Sequence, residues 1–306
     1  MQGRHGLGSS ARIHQCIRRS LAASLASTAL AVPYLAAVQA AGEAPASTQI
    51  AIGNISMVSD YRFRGISQTF KEPALQGGID YSHASGGYLG TWASNVYGGT
   101  NASGLGVNYF NGDMEWEFYG GYKWKTFKGV ILDAGLLYYW YPGAKWAVPT
   151  QDKYNSTEVY LGAAWNWLTV KYSYALSDYF GMKTDTMGGV CGINSSAVPT
   201  ATCMPVNAGS SKGSSYLDIG VNYDLGDKLI LVGHIGHASV RRYSPMSYTD
   251  WKIGVTKEWA GLTWGASYID TDAKADVYRT AKIEATGPKV RDTSNGTLVL
   301  SVRKTF

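Results

Sequence analysis

Two His-x-Ser pairs, His83-Ala84-Ser85 and His237-Ala238-Ser239, come nearest in this 306-residue chain to a nucleophile with its base. An imidazole can take the proton of a neighbouring hydroxyl, and a carboxylate can orient that imidazole, as acyl hydrolysis requires. Residues two apart on an extended chain share a face. His237 and Ser239 share parity with Leu231 and Ile235, and Asp250 on the following segment is the available third member. His83 and Ser85 fall in a turn instead. A hydrolase built on His237, Ser239 and Asp250 is thus one candidate chemistry, although such a pair is more often plain amphipathic surface.

Other chemistries find less support. His234 and His237 are three apart, which sends them to opposite faces of a strand, so they do not form a metal pair. Cys191 and Cys203 stand in a Gly/Ser/Asn/Pro-rich stretch with no histidine nearby, which argues against zinc and for a disulfide closing a surface loop. The 37 glycines are spread over strand positions and turns and make no phosphate-cradling loop. The chain calls for no cofactor, no metal and no catalytic residue beyond the His-x-Ser candidates.

A third set of residues is charged and regularly spaced. Met114 to Trp124 reads M-E-W-E-F-Y-G-G-Y-K-W. Trp116, Phe118, Tyr122 and Trp124 share one face; Glu115, Glu117, Tyr119 and Lys123 share the other. Period two fits a strand and no helix. Packing three charges into a dry core would be costly, whereas a water-filled lumen accommodates them. The same alternation puts Asp133, Glu158, Lys171, Asp218, Lys252 and Arg303 on the polar faces of later strands. Asp60, Arg62 and Arg64 share a face if Tyr61 and Phe63 point to lipid, and Asp80 has the parity of Gln76 and Gly78. These thirteen residues are the lumen candidates, seven acids against six bases. The balance predicts weak overall ion selectivity, with Arg62 and Arg64 as the constriction that tips it toward anions. Alternatively, those two arginines pair with carboxylates and only brace the wall.

The elements that must position them number about twelve. Strong alternation marks strands over 114–124, 130–140, 158–166, 170–177, 217–224, 251–259 and 297–303. Weaker patterns complete the set at 53–64, 74–83, 87–95, 229–237 and 262–270. Connections alternate in length. Those near 83–87, 125–129, 166–169, 224–228 and 259–262 are short; those near 95–113, 141–155, 180–213, 238–249 and 271–295 are long. Alternating loop lengths and an even strand count predict an all-β, transmembrane, antiparallel up-and-down barrel with both termini at the short-turn end. Trp124, Trp165, Trp167, Trp259 and Trp264 mark one interfacial belt, and Trp92, Trp140 and Trp251 the other. A soluble sandwich or closed lipocalin-like barrel would need this aromatic face inside, where so many Trp and Tyr do not fit.

Residues 1–40 read as a secretory signal peptide. Arg4, Arg12, Arg18 and Arg19 precede a small-residue apolar stretch from Leu21 to Ala37, and Val38-Gln39-Ala40 suits cleavage. The alternative, an N-terminal anchor, is weakened by Pro33 and by the Ala/Ser-rich core. The whole chain has 27 basic and 22 acidic side chains. Removing the four leader arginines leaves 23 against 22, so residues 41–306 carry no basic excess for nucleic acid. The expected partners are outer-membrane lipid, small hydrophilic solutes, and the barrel-insertion machinery that reads a final strand ending in Phe306.

One stretch carries a family resemblance. Ser59-Asp60-Tyr61-Arg62-Phe63-Arg64-Gly65-Ile66-Ser67-Gln68-Thr69 is followed by Pro73-Ala74, Gln76-Gly77-Gly78-Ile79-Asp80-Tyr81 and Gly90-Thr91-Trp92-Ala93-Ser94-Asn95. These motifs, with the shorter Tyr248-Thr249-Asp250-Trp251 and Gly261-Leu262-Thr263, resemble the TorF-like family of proteobacterial porin-like proteins. The resemblance implies an outer-membrane channel of unassigned solute and supplies no catalytic residue; the Cys191–Cys203 loop is not part of it. The expected function is passive passage of small hydrophilic solutes or ions. The lipid hydrolase and a closed structural or adhesive barrel are the alternatives.

Overall fold

The computed structural model describes residues 50–97, 112–126, 129–146, 151–187, 189–193 and 201–306. The leader, 1–40, lies outside them. Twelve strands carry the fold. The first six are β1 (Ile50–Val58), β2 (Ala74–Ser82), β3 (Gly87–Asn95), β4 (Met114–Lys125), β5 (Ile131–Trp140) and β6 (Ser156–Trp165). The second six are β7 (Leu168–Ala175), β8 (Ser215–Asp224), β9 (Leu229–Ser239), β10 (Tyr248–Trp259), β11 (Leu262–Thr271) and β12 (Thr297–Thr305). Each pairs antiparallel with its chain neighbours, and β12 closes on β1, making an up-and-down barrel without an edge.

Alternation decides which side chain goes where. On β4, Glu115 and Glu117 are buried inside while Phe118, Tyr122 and Trp124 stand exposed on the outer wall. Leu75, Ile79, Leu89, Leu136, Leu161, Ile253, Leu298 and Leu300 join them outside. In water this would be one very large apolar patch; it suits hydrocarbon. Trp124, Trp165, Trp167, Trp259 and Trp264 are exposed at the short-turn end, and Trp140 and Trp251 at the other. Trp92 departs from the expected belt. It points inward and packs edge-on to Tyr61, with ring centroids 5.4 Å apart, because its parity is that of Tyr88 and Ser94.

The short turns are tight. Between β10 and β11, Ala260 and Gly261 are both left-handed (φ 54° and 72°), the two-residue turn that matches strand twist. Inward-facing glycines leave room for aromatic side chains. Gly90, Gly121, Gly135 and Gly236 are seats on which the rings of Tyr119, Tyr88, Tyr160 and Tyr216 lie. A Cβ on Gly90 would come within 2.5 Å of the Tyr119 ring. Gly121 and Gly135 each form a recess for an aromatic side chain.

The first strand is shorter than expected. β1 ends at Val58, and residues 59–73 turn into the barrel instead of prolonging the wall. Arg62–Phe63 pairs with Ile66–Ser67 around a tight turn whose central Arg64 and Gly65 are left-handed (φ 48° and 81°). Tyr61 and Phe63 therefore face protein, not lipid: Tyr61 is 0% exposed. Inside a barrel a strand is surrounded by wall, so its alternation carries no lipid-versus-lumen information. Here the core sits, at the long-loop end of the interior, where Tyr61, Phe63, Trp92, Tyr139, Phe180 and Val299 meet.

Candidate functional site: the barrel interior

The interior has two storeys. The upper one is filled by the inward hairpin, which touches the wall nearly all round. Tyr61 donates to Glu115 on β4 (3.1 Å), and Phe63 packs edge-on to Tyr139 on β5. Arg64 reaches Glu158 on β6 with both carboxylate oxygens in range (3.0 and 2.7 Å) and donates to the Tyr179 hydroxyl (2.9 Å). Its guanidinium also lies over the ring of Tyr216 on β8, 4.3 Å from the centroid. On the other side Arg62, 1% exposed, donates to Asp60 (2.6 Å), to the Gly65, Thr293 and Asn295 carbonyls, and to Thr297 of β12. Asp60 also accepts from Ser67 (2.5 Å).

Charge-paired, multiply bonded arginines of this kind are the geometry in which a buried charge is tolerated, with Arg64 Nη2 shared between both Glu158 oxygens. Arg62 and Arg64 thus brace the inward hairpin, and Asp60 belongs to the same network. None of the three lies on the wall strand that sequence alternation assigned them to. The segment is also held from above. Lys282 pairs with Glu72 (2.8 Å), and Arg291 donates to the Phe70 carbonyl (2.6 Å) while covering its ring. Both bases come from the hairpin formed by Arg279–Glu284 and Gly287–Asp292.

The lower storey is lined by charge. Strand register places Lys123, Asp133, Gly162, Lys171, Asp218, Gly236 and Asp250 as successive partners from β4 to β10, all with inward parity, on a row that climbs from the short-turn end at Lys123 to the hairpin, where Asp250 lies against Gly65. Lys123 lies 3.9 Å from Asp133, which accepts from the Tyr88 hydroxyl (2.7 Å). Lys123 and Lys171 lie over the rings of Tyr88 and Tyr160, at 4.5 and 5.4 Å. Tyr88 and Tyr160 also meet through their hydroxyls. Asp80 on β2 accepts from Tyr119 (2.5 Å) and lies in the field of Arg303 and Lys123. Lys252 lies in the field of Asp218 and Asp250.

Of the thirteen candidates, ten are thus inward wall residues: Asp80, Glu115, Glu117, Lys123, Asp133, Glu158, Lys171, Asp218, Lys252 and Arg303. Glu115, Glu117 and Glu158 are enclosed at the hairpin's level; Asp80, Lys123, Asp133 and Arg303 lie near the short-turn ends of their strands, and Lys171, Asp218 and Lys252 lie between. Sequence reasoning gave no role to His234, which bridges Asp218 (Nδ1 to Oδ1, 3.1 Å) and Asp250 (Nε2 to Oδ2, 2.7 Å). Its inward parity, opposite to that of His237, was readable; what it would meet was not.

That bridge removes the hydrolase geometry. Asp250 points inward, bonded to His234 and to Tyr216 (2.8 Å). His237 is outside, its Nδ1 3.1 Å from Thr249 Oγ1, because Thr249 and not Asp250 is its register partner. The carboxylate and the imidazole lie on opposite sides of the wall. Purified protein is therefore expected to release no acyl chain from phospholipid or lipopolysaccharide, and Ser239→Ala to change nothing. Acyl release by wild type that disappears in that variant would reinstate the hydrolase.

Solved structures match along most of the chain at low identity. A KdgM porin is 8% identical, with 84% of this chain and 99% of that chain covered and a TM-score of 0.43. The COG4313 outer membrane channel from Pseudomonas putida F1 is 14% identical, with 86% and 97% covered and a TM-score of 0.43. A Pseudomonas aeruginosa FadL homologue is 12% identical, with 88% and 93% covered and a TM-score of 0.37. No role is taken from likeness at this level, and no curated protein matches in sequence. Residues 41–306 match the family model described as bacterial protein of unknown function (Gcw_chp), and the chain belongs to that family.

Proposed function

We propose that this chain is an outer-membrane channel for passive passage of small hydrophilic solutes or ions, stoppered at its long-loop mouth by residues 59–73. One observation carries the reading: the inward row of Lys123, Asp133, Lys171 and Asp218, with Lys252 and Arg303 nearby, below the stopper. Ionised groups in a dry interior cost several kcal/mol each unless fully paired, by the order of magnitude usual for buried ions. Paired as Lys123 is with Asp133 and Asp218 with His234, charges of alternating sign along an inner barrel wall suit a hydrated lumen better than a dry core. The apolar exterior with its two aromatic levels supports a membrane setting, and the leader, 1–40, supports export to it. The resemblance of residues 55–96 to TorF-like porin-like proteins points the same way. The final strand ending in Phe306 supports delivery by the barrel-insertion machinery.

A closed structural barrel is the second reading, favoured by the paired charges of the stopper. Uptake of a small pentose by proteoliposomes separates the two. The channel reading expects swelling above protein-free vesicles; vesicles that stay impermeable would favour the closed barrel.

In this reading the long loops face outward. Backbone register sets Cys191 directly opposite Cys203 in a loop hairpin, Val190–Ile193 with Ala201–Met204. A disulfide is expected there, outside the cell. In a cysteine-free background, Asn207→Cys should react with an impermeant maleimide on intact cells and Gly226→Cys should not; the reverse pattern would invert the topology. Removing both cysteines should loosen the loop while leaving the barrel's heat-modifiable gel migration intact, since strand pairing holds the wall.

A further inference from the structure

Resting on the outward placement of the long loops, and not on whether the lumen conducts, we infer that the rim above β7, β8 and β9 binds the phosphates of an outer-leaflet glycolipid, lipopolysaccharide. The site begins with the His-x-Ser pair that the hydrolase geometry left without a use. Ile235, His237 and Ser239 follow one another on the outer face of β9, and all three are exposed. Arg241 continues their parity beyond the strand and is exposed as well. One face thus passes from an apolar side chain, through an imidazole and a hydroxyl, to a guanidinium.

That guanidinium stands against the membrane wall. A Cβ on Gly213 would meet the Tyr174 hydroxyl at 3.0 Å and Arg241 Cδ at 3.4 Å, so both side chains lie over the same glycine. Tyr174 is on the outer face of β7 with Tyr172, and both are exposed, as is Leu176 just beyond them. An outward tyrosine near the end of a barrel strand belongs to the interface, where its hydroxyl reaches headgroup level. Arg241 is held beside it. Its backbone N–H donates to Ser214 Oγ (3.0 Å), and its Nη1 donates to the Lys212 carbonyl (2.8 Å).

Two more cations share the rim. Lys212 is exposed, and so is Arg242, whose Cδ lies 2.8 Å from where a Cβ on Gly209 would stand. None of Lys212, Arg241 and Arg242 is in an ion pair among the described residues. The carboxylate at the edge of the group, Asp178, accepts from the Ser210 hydroxyl and from the Lys212 backbone N–H. Uncompensated cations, two of them planar guanidinium groups, match phosphate oxygens in charge and geometry. The occupant must also suit what lies below. Leu217 pairs in register with both Tyr172 and His237, which gives an acyl chain an apolar track beneath the cations. His237 and Ser239 stand between track and cations, where sugar hydroxyls would be. A bisphosphorylated glycolipid meets all three levels; a glycerophospholipid has one phosphate and no sugar.

The refolded chain, residues 41–306, is titrated in detergent micelles and binding is read by native mass spectrometry. The probes are lipid A with both phosphates, the same lipid A dephosphorylated, phosphatidylglycerol and inorganic phosphate. Wild type should bind the bisphosphorylated form at least about tenfold more tightly than the other three, as several charge-assisted contacts imply. The double variant Lys212→Gln, Arg241→Gln should lose that margin. Lys257→Gln, on β10 near its short-turn end, removes a charge elsewhere and should bind as wild type does. Folding of each variant is verified by its heat-dependent gel migration. Equal binding of lipid A with and without phosphates, or unchanged binding in the double variant, overturns the inference. So does phosphatidylglycerol or inorganic phosphate bound as tightly as lipid A, and so does a maleimide pattern that puts this rim in the periplasm. The channel reading stands or falls separately, on pentose uptake.

Discussion

Arg64→Ala should unseat the stopper. Wild-type vesicles are expected to resist trypsin in the 59–73 segment, where Arg62 is buried and Lys71 is held in the packed turn; the variant should be cut there at least about tenfold faster. The cause is local. Removing Arg64 leaves Glu158 with no charge partner in a site where it is 2% exposed. Breaking one half of a buried pair costs about 3–5 kcal/mol. That cost falls on the closed arrangement alone, because Glu158 regains water once the hairpin leaves. With each 1.4 kcal/mol worth a factor of about ten, even the lower figure multiplies the open population about a hundredfold. Cells carrying the variant should also become sensitive to hydrophilic antibiotics that wild type excludes. Glu158→Gln should have the same direction and a smaller size, since an amide can still accept from Arg64. Unchanged proteolysis and sensitivity in Arg64→Ala would mean that the Arg62 network and the outer clasp of Lys282 and Arg291 suffice to hold the segment.

Gly135→Val should prevent the barrel from assembling. A Cβ at Gly135 would lie 2.5 Å from Tyr160 Cζ and 2.7 Å from the Gly120 carbonyl, so both ring and backbone would have to move. The ring cannot easily retreat, being tied to Tyr88 through its hydroxyl. Overpacking a well-filled site costs about 1–3 kcal/mol and sometimes more, and here two clashes coincide with a lost aromatic seat. The yield of folded, heat-modifiable protein is expected to fall about tenfold or more. Ala134→Val, one residue away on the outer face, is the control and should be silent. Equal yields would show that the Tyr88–Tyr160 pair is adaptable, not seated.

Much of this was legible in the sequence because a membrane barrel writes its structure in period two. The strands at 114–125, 131–140, 156–165 and 248–259 lie within three residues of where alternation put them. Glu115, Asp133, Lys171 and Asp218 faced inward because an ionised side chain cannot face lipid. The failures share a cause. Asp60 to Arg64 alternates as well as any strand, yet it forms a hairpin inside the barrel, where both of its faces meet protein. Alternation reports a difference between two environments, and it cannot name them. Trp92 was read as a belt residue for the same reason: a tryptophan near a strand end suits an interface or a packed interior equally. The sequence offers Asp250 to His237 from the neighbouring strand, but a register one residue different gives it to His234 and Tyr216. The glycine seats were invisible because what a glycine accommodates comes from another strand.

In the proposed function, a charged, wettable passage lies behind a removable stopper. Planar-bilayer recording of the refolded chain, wild type beside Arg64→Ala, tests it most directly. Wild type should show small, infrequent openings, and the variant should show conductance several times larger and open for most of the record, as loss of a buried pair that holds only the closed state requires. Silence from both proteins, with both verified as folded barrels, would contradict the account and leave a closed structural barrel in its place.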